Sequence, residues 1–144
     1  MKVTGTAVLN APRERVWAAL NDPAVLVRTL PGCQRLEQVG QDAYRATLYA
    51  GVASIKGTFS GEVRLSDQVE PESFVLHAAG AGAPGTVNAD VTVTLANGDG
   101  GSTRLDYDAD AVVGGMIGGV GQRMLASAAK RTAAEFFTAV DDVL

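Results

Sequence analysis

Residues 113–144 read VGGMIGGVGQRMLASAAKRTAAEFFTAVDDVL, a glycine cluster that continues into a long amphipathic pattern. From Met116 onward, apolar and small residues recur mostly three or four positions apart, and most charged residues fall between them. The apolar face of such a helix needs a partner. Because the preceding sequence has strand-like alternation and no second long helix, that partner should be a sheet. We therefore predict a curved sheet that encloses one long C-terminal helix.

Seven strands and two short helices are predicted before the long helix. Period-two alternation marks strands at residues 2–9, 33–39, 43–50, 56–66, 73–79, 86–95 and 102–112. Asn10 stands at the position of an N-cap before Pro12, and a second short helix should follow Asp22-Pro23 and end at Pro31-Gly32. Consecutive hairpins imply an antiparallel sheet of about seven strands, which curls as it twists. The predicted fold class is α+β, with residues 1–144 forming one domain.

Length, charge and composition exclude several classes of protein. A chain of 144 residues is long enough to bury a core without disulfides, and its single cysteine, Cys33, cannot form an internal bridge. No secretion signal precedes the first strand, so we expect a cytoplasmic protein. No stretch is apolar over the roughly 18 residues that a membrane span requires. The net charge of −4 and the lack of a basic run argue against a nucleic-acid surface.

Small side chains dominate the face of the sheet that should meet the helix. The chain has 17 glycines but only 4 phenylalanines, 3 tyrosines and 1 tryptophan. Because protein interiors are close-packed, two arrangements are possible: the helix lies nearer to the sheet, or the small residues leave a ligand cavity. Such a cavity would have the volume usual for small-molecule sites, about 300–1,000 Å³. The glycines between residues 114 and 121 would form a flexible opening. The predicted inward set is Gly5, Ala7, Ala46, Ala50, Gly61, Ala79, Ala89, Ala109 and Ala111.

Support for a catalytic centre in the sequence is thin. The one histidine, His77, shares a predicted strand face with Val75, where it would line the wall or act as a base toward a ligand carbonyl. A metal site needs several converging ligands, which one histidine and one cysteine do not supply. Residues 80–85 match G-x-G-x-x-G, but a dinucleotide site requires a following helix, and a predicted strand follows here.

Motifs spread over the whole chain carry a family resemblance. They are Asn10-Ala11-Pro12, Val16-Trp17, Asp22-Pro23, Leu30-Pro31-Gly32-Cys33, Lys56-Gly57-Thr58-Phe59-Ser60-Gly61, Gly80-Ala81-Gly82-Ala83-Pro84-Gly85, Gly118-Gly119-Val120-Gly121-Gln122-Arg123 and Glu135-Phe136-Phe137. With these motifs the chain resembles the CoxG family, the G subunits of carbon monoxide dehydrogenase, within the START-like (SRPBCC) helix-grip superfamily. The resemblance implies a helix-grip fold, in which a curved antiparallel sheet wraps around the C-terminal helix and a ligand cavity.

The resemblance also implies a function. Members of this family accompany molybdenum-containing hydroxylases, chiefly carbon monoxide dehydrogenase, and their cavity is associated with carrying a respiratory quinone such as menaquinone between the membrane and the hydroxylase. A prenylated quinone is too apolar to cross water freely, and burying its tail is favourable by about 25 cal/mol per Å². Such a carrier needs no catalytic residues and no other cofactor. Family members often extend past the long helix with a tail that reaches the membrane, whereas this chain stops at Leu144. We therefore expect at most peripheral contact with the inner face of the cell membrane.

Two alternatives to the carrier remain open at this point. A polyketide cyclase or dehydratase on the same fold requires His77, a tyrosine or a carboxylate beside a reactive carbonyl. An assembly factor that docks on the hydroxylase without carrying a ligand requires only a complementary surface, and a solid interior would favour it. For a carrier, methionines suit a wall that adapts to a flexible tail. The predicted wall residues are Leu26, Leu30, Tyr44, Leu48, Phe59, Val75, His77, Val91, Tyr107, Met116, Ile117, Val120 and Met124.

Overall fold

The computed structural model describes residues 1–144 as one antiparallel sheet, two short helices and one long helix. The helices are α1 (Arg13–Leu20), α2 (Pro23–Thr29) and α3 (Gln122–Val143). The strands are β1 (Lys2–Leu9), β2 (Cys33–Gly40), β3 (Ala43–Val52), β4 (Ile55–Val69), β5 (Ser73–Gly82), β6 (Gly85–Asn97) and β7 (Thr103–Gly114). The seven strands lie in the order β1-β7-β6-β5-β4-β3-β2, so β1 and β2 are the two edges. The predicted α+β architecture is confirmed.

Side-chain alternation divides the sheet into an inner face toward α3 and an outer face toward solvent. Val93 on β6 and Leu105 on β7 are buried, whereas Asp108 on the opposite face of β7 is exposed, as the alternation of these strands predicts. On β5, Phe74 is buried, so it and every second residue after it face inward. Ala79 therefore points outward, and its predicted inward position is wrong.

Both short helices begin near a proline, but they are capped differently. Pro23 opens α2, and the Asp22 carboxylate accepts a 2.9 Å hydrogen bond from a backbone N–H of the first turn. α1 follows Pro12, whose ring offers no capping group, so the prediction of Asn10 as the N-cap is wrong. Asn10 instead donates hydrogen bonds from its backbone N and its Nδ2 to the two carboxylate oxygens of Asp141, at 2.8 and 2.9 Å.

The glycine cluster delays the start of α3. Ile117–Val120 form a separate 3-10 turn, and α3 begins at Gln122 rather than at Met116 as the periodicity predicts. Gly115 and Gly121 have φ angles of +79° and +95°, which residues with a Cβ rarely adopt. These conformations interrupt the helix, and Met116 lies outside it. No helix of the chain combines the length and the apolar character needed to cross a membrane.

Two apolar clusters hold α3 at opposite ends of the inner face. The first surrounds Trp17, which meets Phe74 edge to face at a centroid distance of 5.4 Å, and it buries Val140 near the end of α3 completely. The second cluster joins Phe59 to Leu125 near the start of α3. Aromatic pairs of this kind add about 0.5–1.5 kcal/mol beyond their buried area. The middle of the inner face therefore lies between two fixed ends.

We expect Asp141→Ala to loosen the C-terminal end of α3. The Asp141 carboxylate accepts two hydrogen bonds from Asn10, just past the end of β1. Hydrogen bonds to a charged group are stronger than neutral ones, but solvent exposure weakens these two. We therefore expect a loss of about 1–2 kcal/mol in the free energy of unfolding, measured by urea titration. Asp142→Ala is the control, since Asp142 is exposed and forms no such bond. An equal loss in both variants would contradict this role.

Candidate functional site

The inner face of the sheet carries no charged side chain on β1 or on β3 to β7. Its inward positions are apolar or small, apart from the hydroxyl groups of Tyr44, Thr103 and Tyr107. Ala50, one of the predicted small residues, lies at an exposed end of β3. Between the two apolar clusters the face consists mainly of small residues, which are Gly5, Ala7, Ala46, Gly61, Ala78, Gly80, Ala89, Ala109 and Ala111.

Space remains between this middle region and α3. Inward residues in the clusters are at most 9% exposed, whereas Val91 and Ala109 in the middle of the same face are only partly buried. Close packing of α3 over the whole sheet would bury these positions as well. The total accessible surface is 7779 Å², compared with about 7,000 Å² for a compact monomer of this mass. The structure therefore favours accessible space over a solid interior.

A groove of about 460 Å³ lies at the side of this space, between the edge strand β1 and α3. The rings of Tyr107 and Phe137 form its aromatic wall, with their centroids 5.8 Å apart. Tyr107 lies across Gly5, where a Cβ atom would overlap the phenol ring. Lys130 and Asp141 are the charged residues of the rim. An aromatic wall with a few polar groups is typical of a small-molecule site.

A second cleft, of about 510 Å³, lies where α3 begins. Val120, Arg123 and Met124 contribute to its lining. Met124 is 46% exposed, and the preceding loop leaves Met116 67% exposed. This cleft therefore lies at the end of the glycine cluster, with one exposed methionine and one arginine in its lining.

The structure distributes the predicted wall residues over several environments. Leu48, Val91 and Tyr107 are partly buried on the inner face, between the clusters or at their border. Leu26 and Leu30 are partly buried in α2 and at its C-terminal end. The remaining inner residues belong to the clusters: Tyr44 to the first, and Phe59 and Ile117, with Val120 against them, to the second.

Two predicted wall residues, Val75 and His77, lie on the wrong face of β5. Phe74 and Leu76 belong to the first cluster, so their neighbours on the strand point outward. His77 stands directly opposite Asp90 of β6, and the two side chains are hydrogen-bonded on the outer face. The prediction of an inward histidine is therefore wrong. Met116 and Met124 are also too exposed to line the interior, and only Met124 lines the cleft at the start of α3.

Two phenols are the main polar groups of the inner face. Burial raises the pKa of Tyr107. Burial also raises the pKa of Tyr44, with a smaller contribution in the same direction from the nearby carboxylates of Asp42 and Asp22. Both phenols therefore stay protonated at neutral pH. The Tyr107 hydroxyl forms no hydrogen bond within the protein, so it is free to donate one to a ligand.

The groove between β1 and α3 contains residues outside the predicted wall set. Phe137 and Ala134 line it from α3, and Thr4 and Thr6 line it from β1. The signal was present in the sequence, because residues 130, 134, 137, 138 and 141 form one stripe at helical spacing. That stripe becomes informative only once β1 is known to be the neighbouring edge strand.

Comparisons with known proteins agree with this architecture. A family model described as CoxG, the G subunit of carbon monoxide dehydrogenase, matches residues 5–144. A conserved protein from Geobacillus kaustophilus is 34% identical, with a TM-score of 0.94 over 99% of this chain and 93% of its own. No curated protein sequence matches the chain.

Two more distant structures share the fold. A START superfamily protein from Mycobacterium smegmatis is 12% identical, with a TM-score of 0.74 over 98% of this chain and 94% of its own. The Zhui aromatase/cyclase from Streptomyces sp. R1128 is 18% identical, with a TM-score of 0.71 over 99% and 92%. These likenesses confirm the predicted START-like fold. Since the family model matches nearly the whole chain, the protein belongs to the CoxG family of carbon monoxide dehydrogenase G subunits.

Proposed function

We propose that the protein binds a respiratory quinone such as menaquinone between the sheet and α3, and carries it between the membrane and a molybdenum-containing carbon monoxide dehydrogenase. The observation that carries this proposal is the uncharged inner face, where small residues leave accessible space between two apolar clusters. Each Å² of prenyl tail buried there would contribute about 25 cal/mol. The description of the matching family supports the choice of partner enzyme.

A quinone has two carbonyl oxygens that accept hydrogen bonds but donate none. In this proposal the Tyr107 hydroxyl donates to one of them, because its phenol is protonated, partly buried and without a partner in the protein. The adjacent ring of Phe137 offers an apolar surface to the quinone ring. The head group then lies near the groove between β1 and α3, and the tail extends along the small residues of the inner face.

The inner face supports binding rather than catalysis. One structural relative is an aromatase/cyclase, so the fold by itself accommodates an enzyme. General acid–base catalysis needs groups whose pKa lies near the working pH. Here the titratable groups on the inner face are Tyr44, Tyr107 and Cys33, and burial raises the pKa of each. We therefore favour a carrier that performs no chemistry in this cavity.

One end of the molecule suits contact with an anionic membrane. The hairpins β3–β4 and β5–β6 and the connection from β7 to α3 meet there. None of the 16 carboxylates of the chain lies in residues 43–61, 73–89 or 111–134, which include the parts of these strands and of α3 nearest this end, although the net charge is −4. Lys56 and Arg123 lie at this end, beside the exposed side chains of Met116, Met124 and Tyr49. Cations beside apolar groups are typical of surfaces that bind anionic lipid.

Neutralising this end should weaken vesicle contact. Each Lys or Arg near an anionic surface contributes about 1 kcal/mol, so we expect Lys56→Gln/Arg123→Gln to bind phosphatidylglycerol vesicles roughly 30-fold more weakly, measured by sedimentation. The control is Arg15→Gln/Arg104→Gln, which removes equal charge from exposed residues at the opposite end. If both double variants lose affinity equally, only net charge matters and the proposed membrane-facing end is refuted.

A transfer assay tests the proposed function. Vesicles that contain menaquinone are incubated with the protein and sedimented, and the quinone in the supernatant is measured by ultraviolet absorbance after extraction. We expect about one quinone per protein at saturation, and Tyr107→Phe should retain less of it because one hydrogen bond, about 1 kcal/mol, is lost. Quinone that stays in the pellet at every protein concentration would refute the carrier.

A further inference from the structure

Three polar side chains on the outer face of the sheet form a chain of hydrogen bonds across three neighbouring strands. Ser66 of β4, His77 of β5 and Asp90 of β6 all point away from the quinone cavity. Ser66 Oγ lies 2.9 Å from His77 Nε2, and His77 Nδ1 lies 2.5 Å from Asp90 Oδ1. A hydroxyl, an imidazole and a carboxylate are thus joined in series through the two ring nitrogens.

When the imidazole is neutral, the hydrogen-bond partners fix the direction of each bond. A carboxylate only accepts, so Nδ1 carries the proton toward Asp90, and Nε2 of the neutral ring is left as an acceptor. The Ser66 hydroxyl then donates to Nε2. A second acceptor, Asp67 Oδ2, lies 3.4 Å from the same hydroxyl, but one proton serves the shorter bond. This is the arrangement in which a histidine activates a serine.

The surroundings leave this serine accessible. Ser66 and His77 are partly exposed, and Asp90 is 70% exposed. Arg64 precedes Ser66 by two residues on the same face, stands opposite His77 in the strand register, and forms no ion pair. Of the cationic residues, Arg64 is the nearest to Ser66 in the strand register, so it could stabilise a negative charge that develops on a substrate there. A convex sheet face offers no pocket that would bind a substrate, so the site depends on substrates that are already activated.

We propose that Ser66, His77 and Asp90 form a second site that is acylated by small activated esters and hydrolyses them. Ser66 Oγ bonds to the ester carbonyl carbon while its proton passes to His77 Nε2, and Arg64 stabilises the oxyanion. The carbon–oxygen bond of the ester then breaks, and Nε2 returns the proton to the leaving alcohol. Water, deprotonated by Nε2, releases the carboxylic acid and restores the serine. Asp90 acts as a positioning residue that holds the tautomer of His77.

Labelling with a fluorophosphonate tests this site, because phosphonylation of a serine forms an O–P bond, releases fluoride and requires the same base. Ser60 is the internal control: it lies on the outer face of the same strand, is exposed, and forms no hydrogen bond to a histidine. General-base activation contributes at least about 100-fold, so peptide mass spectrometry should find Ser66 labelled at least about 100 times faster than Ser60. Ser66→Ala should abolish the hydrolysis of p-nitrophenyl acetate above background.

Variants of the other two residues separate activation from simple exposure. His77→Gln should slow labelling of Ser66 to the rate of Ser60, and Asp90→Asn should slow it at least about tenfold, with partial recovery in Asp90→Glu. Unchanged thermal unfolding would show that the variants remain folded. Equal labelling of Ser66 and Ser60, or labelling that His77→Gln leaves unchanged, would overturn the proposal. These results are independent of quinone binding on the opposite face of the sheet.

Discussion

Tryptophan in place of Ala109 is expected to reduce menaquinone uptake from vesicles to the background level. Ala109 lies on the inner face of β7, between the two apolar clusters and opposite Val91 and Val3 on the flanking strands. An indole there would occupy the space assigned to the quinone. Losing about 100 Å² of apolar contact costs about 2.5 kcal/mol, or roughly 70-fold in affinity. The vesicle transfer assay measures this loss directly.

The neighbouring residue provides a matched control. Asp108 is exposed on the outer face of the same strand, so Asp108→Trp adds the same ring without entering the interior. That variant should take up quinone like the wild type. Circular dichroism and thermal unfolding check that both variants fold. If folded Ala109→Trp binds quinone as well as Asp108→Trp does, the ligand does not occupy the space between the sheet and α3.

The largest effect on stability is expected from Gly61→Ala. Gly61 pairs with Gly80 across β4 and β5, where the two strands come very close. A Cβ on Gly61 would overlap the carbonyl oxygen of Ala79 and lie 2.6 Å from Gly80 Cα. Backbone atoms cannot move aside as a flexible side chain does, so the strands must separate. We expect a loss of about 3 kcal/mol, or roughly 10 °C in Tm, by calorimetry.

A second glycine shows whether this effect is local. A Cβ on Gly119 meets no atom within 4 Å, and the residue is exposed in the turn before α3. Gly119→Ala should therefore change the free energy of unfolding by less than about 0.5 kcal/mol. A loss below about 1 kcal/mol in Gly61→Ala would mean that the sheet does not depend on this close approach.

Much of the fold could be predicted because the alternation of polar and apolar residues is strong where one face of a strand is exposed to solvent. In β6 and β7, threonines and aspartates alternate with apolar residues, and the structure places them as that pattern indicates. The long helix was equally clear, but its start was not. Apolar spacing extends back to Met116, whereas the positive φ angles of Gly115 and Gly121 delay the start of the helix to Gln122. Side-chain periodicity does not record that backbone constraint.

The face of β5 could not be assigned from its own residues. Phe74, Val75 and Leu76 are consecutive and all apolar, so a shift by one residue leaves the pattern equally plausible. The register with β6 decides it, because His77 meets Asp90 on the outer face. That pairing depends on the whole sheet, and no local signal in β5 reveals it.

The sequence predicted the kind of residues that line the candidate site, but not where its groove lies. The sequence has many glycines and alanines and few aromatic residues, and these small residues do lie on the inner face between the clusters. The groove beside Tyr107 arises because β1 pairs with β7, at the other end of the chain, and becomes an edge next to α3. Contacts between such distant segments leave no periodic signal in either one.

The most direct test of the carrier proposal is mass spectrometry on an organic extract of the purified protein, after expression in a host that makes menaquinone. A protein of the same host, purified identically, controls for lipid carried along during purification. We expect menaquinone in the extract at close to one molecule per chain, and none in the extract of an equal amount of folded Ala109→Trp. The carrier proposal would be contradicted if the extract contains no quinone and the same folded protein takes up none from loaded vesicles.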